Sequence, residues 1–149
     1  MQVDTERMCR VLERASPSSL RDERPPHPPG AEGGELRELL RLETQAEGAL
    51  RAAMGQSQVC RRQLQGEYQR ARHRAQRLQT ELFLRTGRRF SPPQSQRREG
   101  VASALRSLCR VYDALAERYE KAPEPLRPLG RECRRDRQSA ARLLETLLR

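Results

Sequence analysis

The chain has 149 residues and a formal net charge of +10, with 35% hydrophobic residues against 34% charged, 3% aromatic and no Trp. That length suits one domain, and so even a balance of apolar and charged residues gives narrow seams on helices more readily than a broad core wrapped around a sheet. Few aromatic side chains means few of the usual pocket-lining residues, which argues against an enzyme with a small-molecule substrate.

The positive charge comes from 29 Arg and a single Lys, Lys121, and it is uneven: residues 59–99 hold 11 Arg against 3 acids, whereas residues 1–58 hold 8 Arg against 10. Such a region attracts nucleic acid, anionic lipid or an acidic protein surface, while plain solubilisation by arginine is the competing explanation. Cys9, Cys60, Cys109 and Cys133 lie far apart, and the two histidines, His27 and His73, do not cluster with them, so neither a metal nor a cofactor is expected. The opening Met1-Gln2-Val3-Asp4 lacks a basic-then-apolar pattern, and no run approaches the roughly 18 apolar residues of a membrane span. The expectation is a cytoplasmic or nuclear protein with reduced thiols and no membrane span.

In chain order, Val3, Met8, Val11 and Leu12 predict a short amphipathic helix within residues 1–15, with Asp4 as its N-cap. Residues 16–34 bring five prolines and three glycines with almost nothing apolar, the composition of a flexible linker. From Glu35 onward Leu36, Leu39, Leu40, Leu42, Ala46, Ala49, Leu50, Ala53 and Met54 recur at helical spacing and make the widest apolar face of the chain. The pattern predicts a helix continuing through Gly55, a rod of about 50 residues and about 75 Å. The alternative is a break at Gly55 with Ser57 capping the next helix.

Leu64, Tyr68, Ala71, Ala75, Leu78 and Leu82 then follow one another at intervals of 4, 3, 4, 3 and 4, a heptad seam. Thr86-Gly87 stops it, and Pro92-Pro93 keep the loop from resuming a helix. Val101, Leu105, Leu108, Tyr112, Leu115 and Tyr119 repeat the intervals and predict a helix over 96–120. Pro123, Pro125 and Pro128 interrupt again before Leu129, Cys133, Asp136, Ala140, Leu143 and Leu147 repeat the same intervals to the end of the chain. No period-two run survives inspection, so no strand is predicted. The fold class is therefore all-α, an antiparallel bundle of three or four coiled-coil-like helices over residues 35–149. A projecting second helix that dimerises through Ala71 and Ala75 is the alternative.

Candidate sites follow from charge and spacing. Arg70, Arg74, Arg77, Arg85 and Arg88 share one stripe at 100° per residue and, with Arg89, Arg97 and Arg98 of the following loop, could bind phosphate or acidic groups. A solvated flank partly neutralised by Glu67 and Glu81 competes with that reading. Ser91, before proline and between arginine pairs, and Ser16, also before proline, are candidate phosphorylation sites. No nucleophile with a base, apolar carboxylate pair or phosphate loop is present in the sequence, so no catalytic residue is named. His73 reads as a surface residue, and Asp136 as a register device or the partner of a buried Arg or Tyr hydroxyl.

These observations favour a non-enzymatic adaptor or structural subunit within a larger complex. Its partner would be a helical protein, or a second copy, held by the seam of Leu64, Tyr68, Ala71, Ala75, Leu78, Leu82, Val101, Leu105, Leu108, Tyr112 and Leu115. The alternative is a nucleic-acid-associated factor using the arginine-rich segment 61–98.

Overall fold

Ser57 is the hinge on which the chain reverses. With φ −146° and ψ 126° it leaves helical conformation for one residue, and its hydroxyl oxygen accepts from the backbone N–H of Cys60 at 3.3 Å. Helix α1, Ala31–Gln56, ends just before it and α2, Gln58–Thr86, begins just after. Helix α3 is Val101–Glu120, a short 3-10 turn covers Glu124–Leu126, and α4 is Pro128–Leu148. This is a computed structural model that describes residues 31–93 and 99–149, and Glu32–Arg149 belongs to one body. The helix expected within 1–15, the linker residues 16–30, Cys9, Ser16, His27, Arg97 and Arg98 lie outside the described residues.

The chain is an all-α bundle, with no strand among the described residues. The continuous helix through Gly55 does not form, and the physical reason is burial. A straight rod would leave the face of α1 in water, whereas reversal at Ser57 buries Leu36, Leu39, Leu40, Ala46, Ala49, Leu50 and Ala53 almost completely. Helix α1 also starts at Ala31, four residues into the expected linker, and α3 starts at Val101, with Glu99 and Gly100 still non-helical. The predicted stop at Gly87 is formed: φ is +70° there, and its N–H donates to the Phe83 carbonyl at 2.7 Å. Pro128 opens α4 at a position where its missing N–H costs nothing.

Cross-contacts define the topology. Glu43 meets Arg74, Glu47 meets Arg72, and a Cβ on Gly33 would lie 3.2 Å from Thr86 Cγ2, so α1 and α2 are antiparallel. Arg118 approaches Glu35 and the Gln56 amide donates to the Glu99 carbonyl, so α1 and α3 are antiparallel as well. Asp113 pairs with Arg137, Glu120 pairs with Arg134, and Gly130 packs on Ala116 and Tyr119, which sets α4 antiparallel to α3. Arg70 meets Asp136 and Arg74 meets Glu132, closing the square between α2 and α4. Helices α2 and α3 therefore run parallel on a diagonal, and the order along the chain is up, down, down, up.

Parallel α2 and α3 need a connection that travels the length of the bundle. Helix α2 is about 43 Å long at 1.5 Å per residue, and the 14 residues Gly87–Gly100 reach about 46 Å when extended. Two prolines suit such a strap. Its start is fixed: the Gln79 side-chain amide donates to the Phe90 carbonyl, the Phe90 N–H donates back to Gln79 Oε1 at 3.4 Å, and Arg37 lies 5.9 Å from the Phe90 ring centroid.

The buried face of α2 differs from the heptad read along the sequence. Cys60, Leu64, Glu67, Ala71, Arg74, Leu78 and Leu82 are buried, so Glu67 and Arg74 take the places expected for Tyr68 and Ala75, which are half-buried beside them. Charge complementarity across the core moved the seam by one residue. Leu64, Ala71, Leu78, Leu82, Leu105, Leu108, Tyr112 and Leu115 are enclosed by the chain's own helices, and Val101 is half-buried against the same core. In the single chain they form the interior, so the seam predicted to hold a partner offers no free surface. No helix among the described residues is long and apolar enough to cross a membrane.

Candidate functional site

At the centre of the bundle a guanidinium is surrounded by carboxylates. Arg74 is 1% exposed; its Nε donates to Glu43 Oε1 at 2.7 Å, and its Nη1 donates to Glu132 Oε1 at 2.7 Å and Asp136 Oδ2 at 3.3 Å. Arg70 enters from the edge and grips Asp136 through Nε at 3.1 Å and Nη2 at 2.7 Å. The Tyr119 hydroxyl donates to Glu43 Oε1 at 2.8 Å and the Tyr112 hydroxyl to Glu67 Oε1 at 3.1 Å, while Arg74 stands 6.0 Å from the Tyr112 ring centroid. All four helices contribute to this cluster.

Its electrostatics follow from burial and crowding. Loss of solvent pushes the Glu67 carboxyl up to about 7, with the Asp136 charge adding to the effect and the Tyr112 hydroxyl and both arginines opposing it. Burial also raises Glu43, against the pull of Arg74 and Tyr119. Loss of solvation is the largest single influence on Arg74 and works against its charge, yet the Glu43 charge and hydrogen bond, together with neighbouring Cys133 and Tyr112, hold the guanidinium above its ordinary value. Burial raises the thiols of Cys133 and Cys109 and the phenols of Tyr112 and Tyr119, which keeps all four protonated at neutral pH.

The arrangement locks helices in register. Bundle interiors lined with carboxylates commonly receive metal ions, but here Glu43, Glu132 and Asp136 are directed at the chain's own cation, and no metal-ligating group of three or more His, Cys, Asp or Glu occurs among the described residues. Arg74 Nη2 and Glu43 Oε2 are buried without a partner among those residues, a cost that makes the pair a better determinant of register than of net stability. An open cleft of about 400 Å³ lies beside the cluster between α2 and α4, lined by His73, Arg74, Gln76, Arg77, Thr80, Leu129 and Glu132. His73 is exposed at its rim, the surface position read from the sequence.

The arginine stripe is resolved residue by residue. Arg74, expected to face outward, faces inward, because Glu43 and Asp136 lie opposite it. Arg70 is paired with Asp136, Arg77 Nη2 donates to the Pro125 carbonyl at 2.9 Å, and Arg85 meets Glu81 at 3.4 Å. Arg70 and Arg74 of the stripe thus form the contact between α2 and α4 and Arg77 reaches the 3-10 turn, while Arg88 of the stripe and Arg89 beside it are exposed in the strap. Ser91 is exposed in the same strap. Asp136 is the partner of buried arginine that its place on the last seam suggested.

Glu43, Glu67 and Tyr119 went unrecognised as members of one site. Their signal was present: Glu43 stands seven residues after Leu36 and seven before Leu50, and Glu67 and Arg74 are themselves seven apart. Protein-family models, curated proteins and solved structures were each compared with the chain, and none matches it.

Proposed function

We propose that the chain is a non-enzymatic helical adaptor or structural subunit that holds a helical partner protein, and that the contact lies at the open end of the α2–α4 seam. The register set by Arg74–Glu132 and Arg70–Asp136 carries Val59 opposite Leu147. Both stay in water: Val59 is 55% exposed, Leu147 41% and its neighbour Leu148 58%. This apolar seam running past the edge of its own core is the observation that carries the reading. Helix α4 leans along α3 and approaches α2 far less closely, which leaves room there for another helix. Phe83 and Leu84, at the other end of α2, are a smaller second patch of exposed apolar side chains.

Paired purifications of the tagged full chain and of its Val59→Asp, Leu147→Asp, Leu148→Asp variant from cells test the reading by quantitative mass spectrometry. A partner that remains with the unaltered chain and is lost from the variant, with circular dichroism unchanged, is the expected result. Identical partner sets at equal recovery would remove the proposal. Leu78→Asp with Leu82→Asp is the contrasting variant, and it should unfold the bundle because both leucines are interior.

A further inference from the structure

The outward face of α4 carries a second kind of surface. Arg131, Arg135 and Arg142 of α4 are exposed and at 100° per residue stand within about 40° of one another, and Arg149, also exposed, follows directly after the last helical residue. They lie opposite the buried line of Gly130, Cys133, Asp136, Ala140 and Leu143 and extend over about 27 Å. None of the four guanidinium groups has a hydrogen bond or ion pair among the described residues; the one side-chain contact is to backbone, where the Thr146 hydroxyl donates to the Arg142 carbonyl. Their neighbours are engaged instead: Arg134 pairs with Glu120 and Arg137 with Asp113. On α3, by comparison, two arginines, Arg106 and Arg110, share their face with two acids, Asp113 and Glu117, whereas the four arginines of the ridge share theirs with one, Glu145.

We propose that this ridge binds the phosphate backbone of duplex nucleic acid without reading its sequence. Gln138, Glu145 and Thr146 complete the face, and no apolar side chain lies on it. A protein partner needs a buried apolar or aromatic anchor to hold it, and a bilayer surface needs apolar side chains to enter it. A row of phosphates needs only charge and donors. Guanidinium groups meet phosphate oxygens two at a time, which a lysine ridge does not do. The wider field agrees: α2 and α4 together hold 12 Arg against 5 acids, whereas α1 and α3 hold 6 against 8. The ridge shares no residue with the apolar end proposed for a protein partner, and it shifts the nucleic-acid contact from segment 61–98, where Arg70, Arg72, Arg74, Arg77 and Arg85 are engaged within the fold, to α4.

Fluorescence anisotropy of a labelled duplex of arbitrary sequence, titrated with the full chain at a series of salt concentrations, tests the proposal. Four neutralised phosphates give a log–log salt slope between about −3 and −4, or roughly 10²-fold weaker binding between 50 and 200 mM salt. The variant R131Q/R135Q/R142Q/R149Q should lose at least tenfold in affinity at 50 mM and most of that slope. The charge-matched variant R51Q/R61Q/R62Q/R106Q should stay within about threefold of the unaltered chain, and circular dichroism checks that both remain helical. Equal losses in the two variants would show a net-charge effect and overturn the ridge, as would absence of duplex binding at 50 mM. Ridge-dependent binding of polyglutamate or of phosphatidylserine vesicles as tight as that of the duplex would overturn the choice of nucleic acid.

Discussion

Arg74 of α2 and Arg142 of α4 are the same side chain on adjacent helices of one bundle, and they meet opposite fates. Arg74 lies in the middle of the core against Glu43, Glu132 and Asp136, and Arg142 stands in water with no partner among the described residues. Neither the residue type nor its helical neighbours separates them, since both sit in arginine-rich stretches with leucines nearby. What separates them is whether carboxylates arrive from other helices at the same height. Burying a guanidinium is tolerable only with such pairing, because several kcal/mol of lost hydration must be offset by contacts of good geometry.

The sharpest way to break the comparison is to remove the buried cation. Arg74→Met leaves Glu43 without its ionic partner and should cost about 3–5 kcal/mol in urea unfolding. Adding Glu43→Leu should recover at least half of that, because an apolar pair replaces the ionic one; no recovery would mean that the pair has no special coupling. Next in size is the close approach of α3 and α4. A Cβ on Gly130 would meet Tyr119 Cβ at 3.0 Å and the Ala116 carbonyl oxygen at 3.5 Å, so Gly130→Val should destabilise by about 1–3 kcal/mol, read as a lowered Tm.

A third test uses pH. Glu67 holds its proton up to about pH 7 in the fold against an ordinary 4.5, so its protonated form favours the folded state. Its contribution is fully present below about pH 4.5 and is lost as pH rises through 7, an effect on the order of 3 kcal/mol. Stability of the unaltered chain minus that of Glu67→Gln, measured from pH 4.5 to 8, should decline across that window; a flat difference would sink the assignment. Ser57→Ala, which deletes the cap at the reversal, should cost about 1 kcal/mol. Smallest of all, R131Q/R135Q/R142Q/R149Q should change stability by less than about 0.5 kcal/mol, since those side chains are exposed and make no ion pair among the described residues.

Much of the helix pattern could be read from the chain itself. The stop at Gly87, the interruption between Pro123 and Pro128 and the interior leucines of the last three helices follow from local preference and spacing, which act over one or two turns. The central site was only half legible. Asp136 stood out as the one polar member of an apolar seam, but Glu67 and Arg74 were hidden because Tyr68 and Ala75 offer an equally regular apolar spacing one residue further on. Choosing between those two registers requires knowing that Glu43 and Glu132 face Arg74 from other helices.

Composition and periodicity by themselves determined that this chain would be helical, with narrow apolar faces and a surface dominated by arginine, since both signals are local and repeat often enough to be counted. Only the tertiary structure decided that the chain turns back at Ser57, that α2 and α3 run parallel, and which arginines are interior. Those choices depend on the free energy of burying one helix face against another and of bringing opposite charges together across the core, and neither quantity exists until the helices have met.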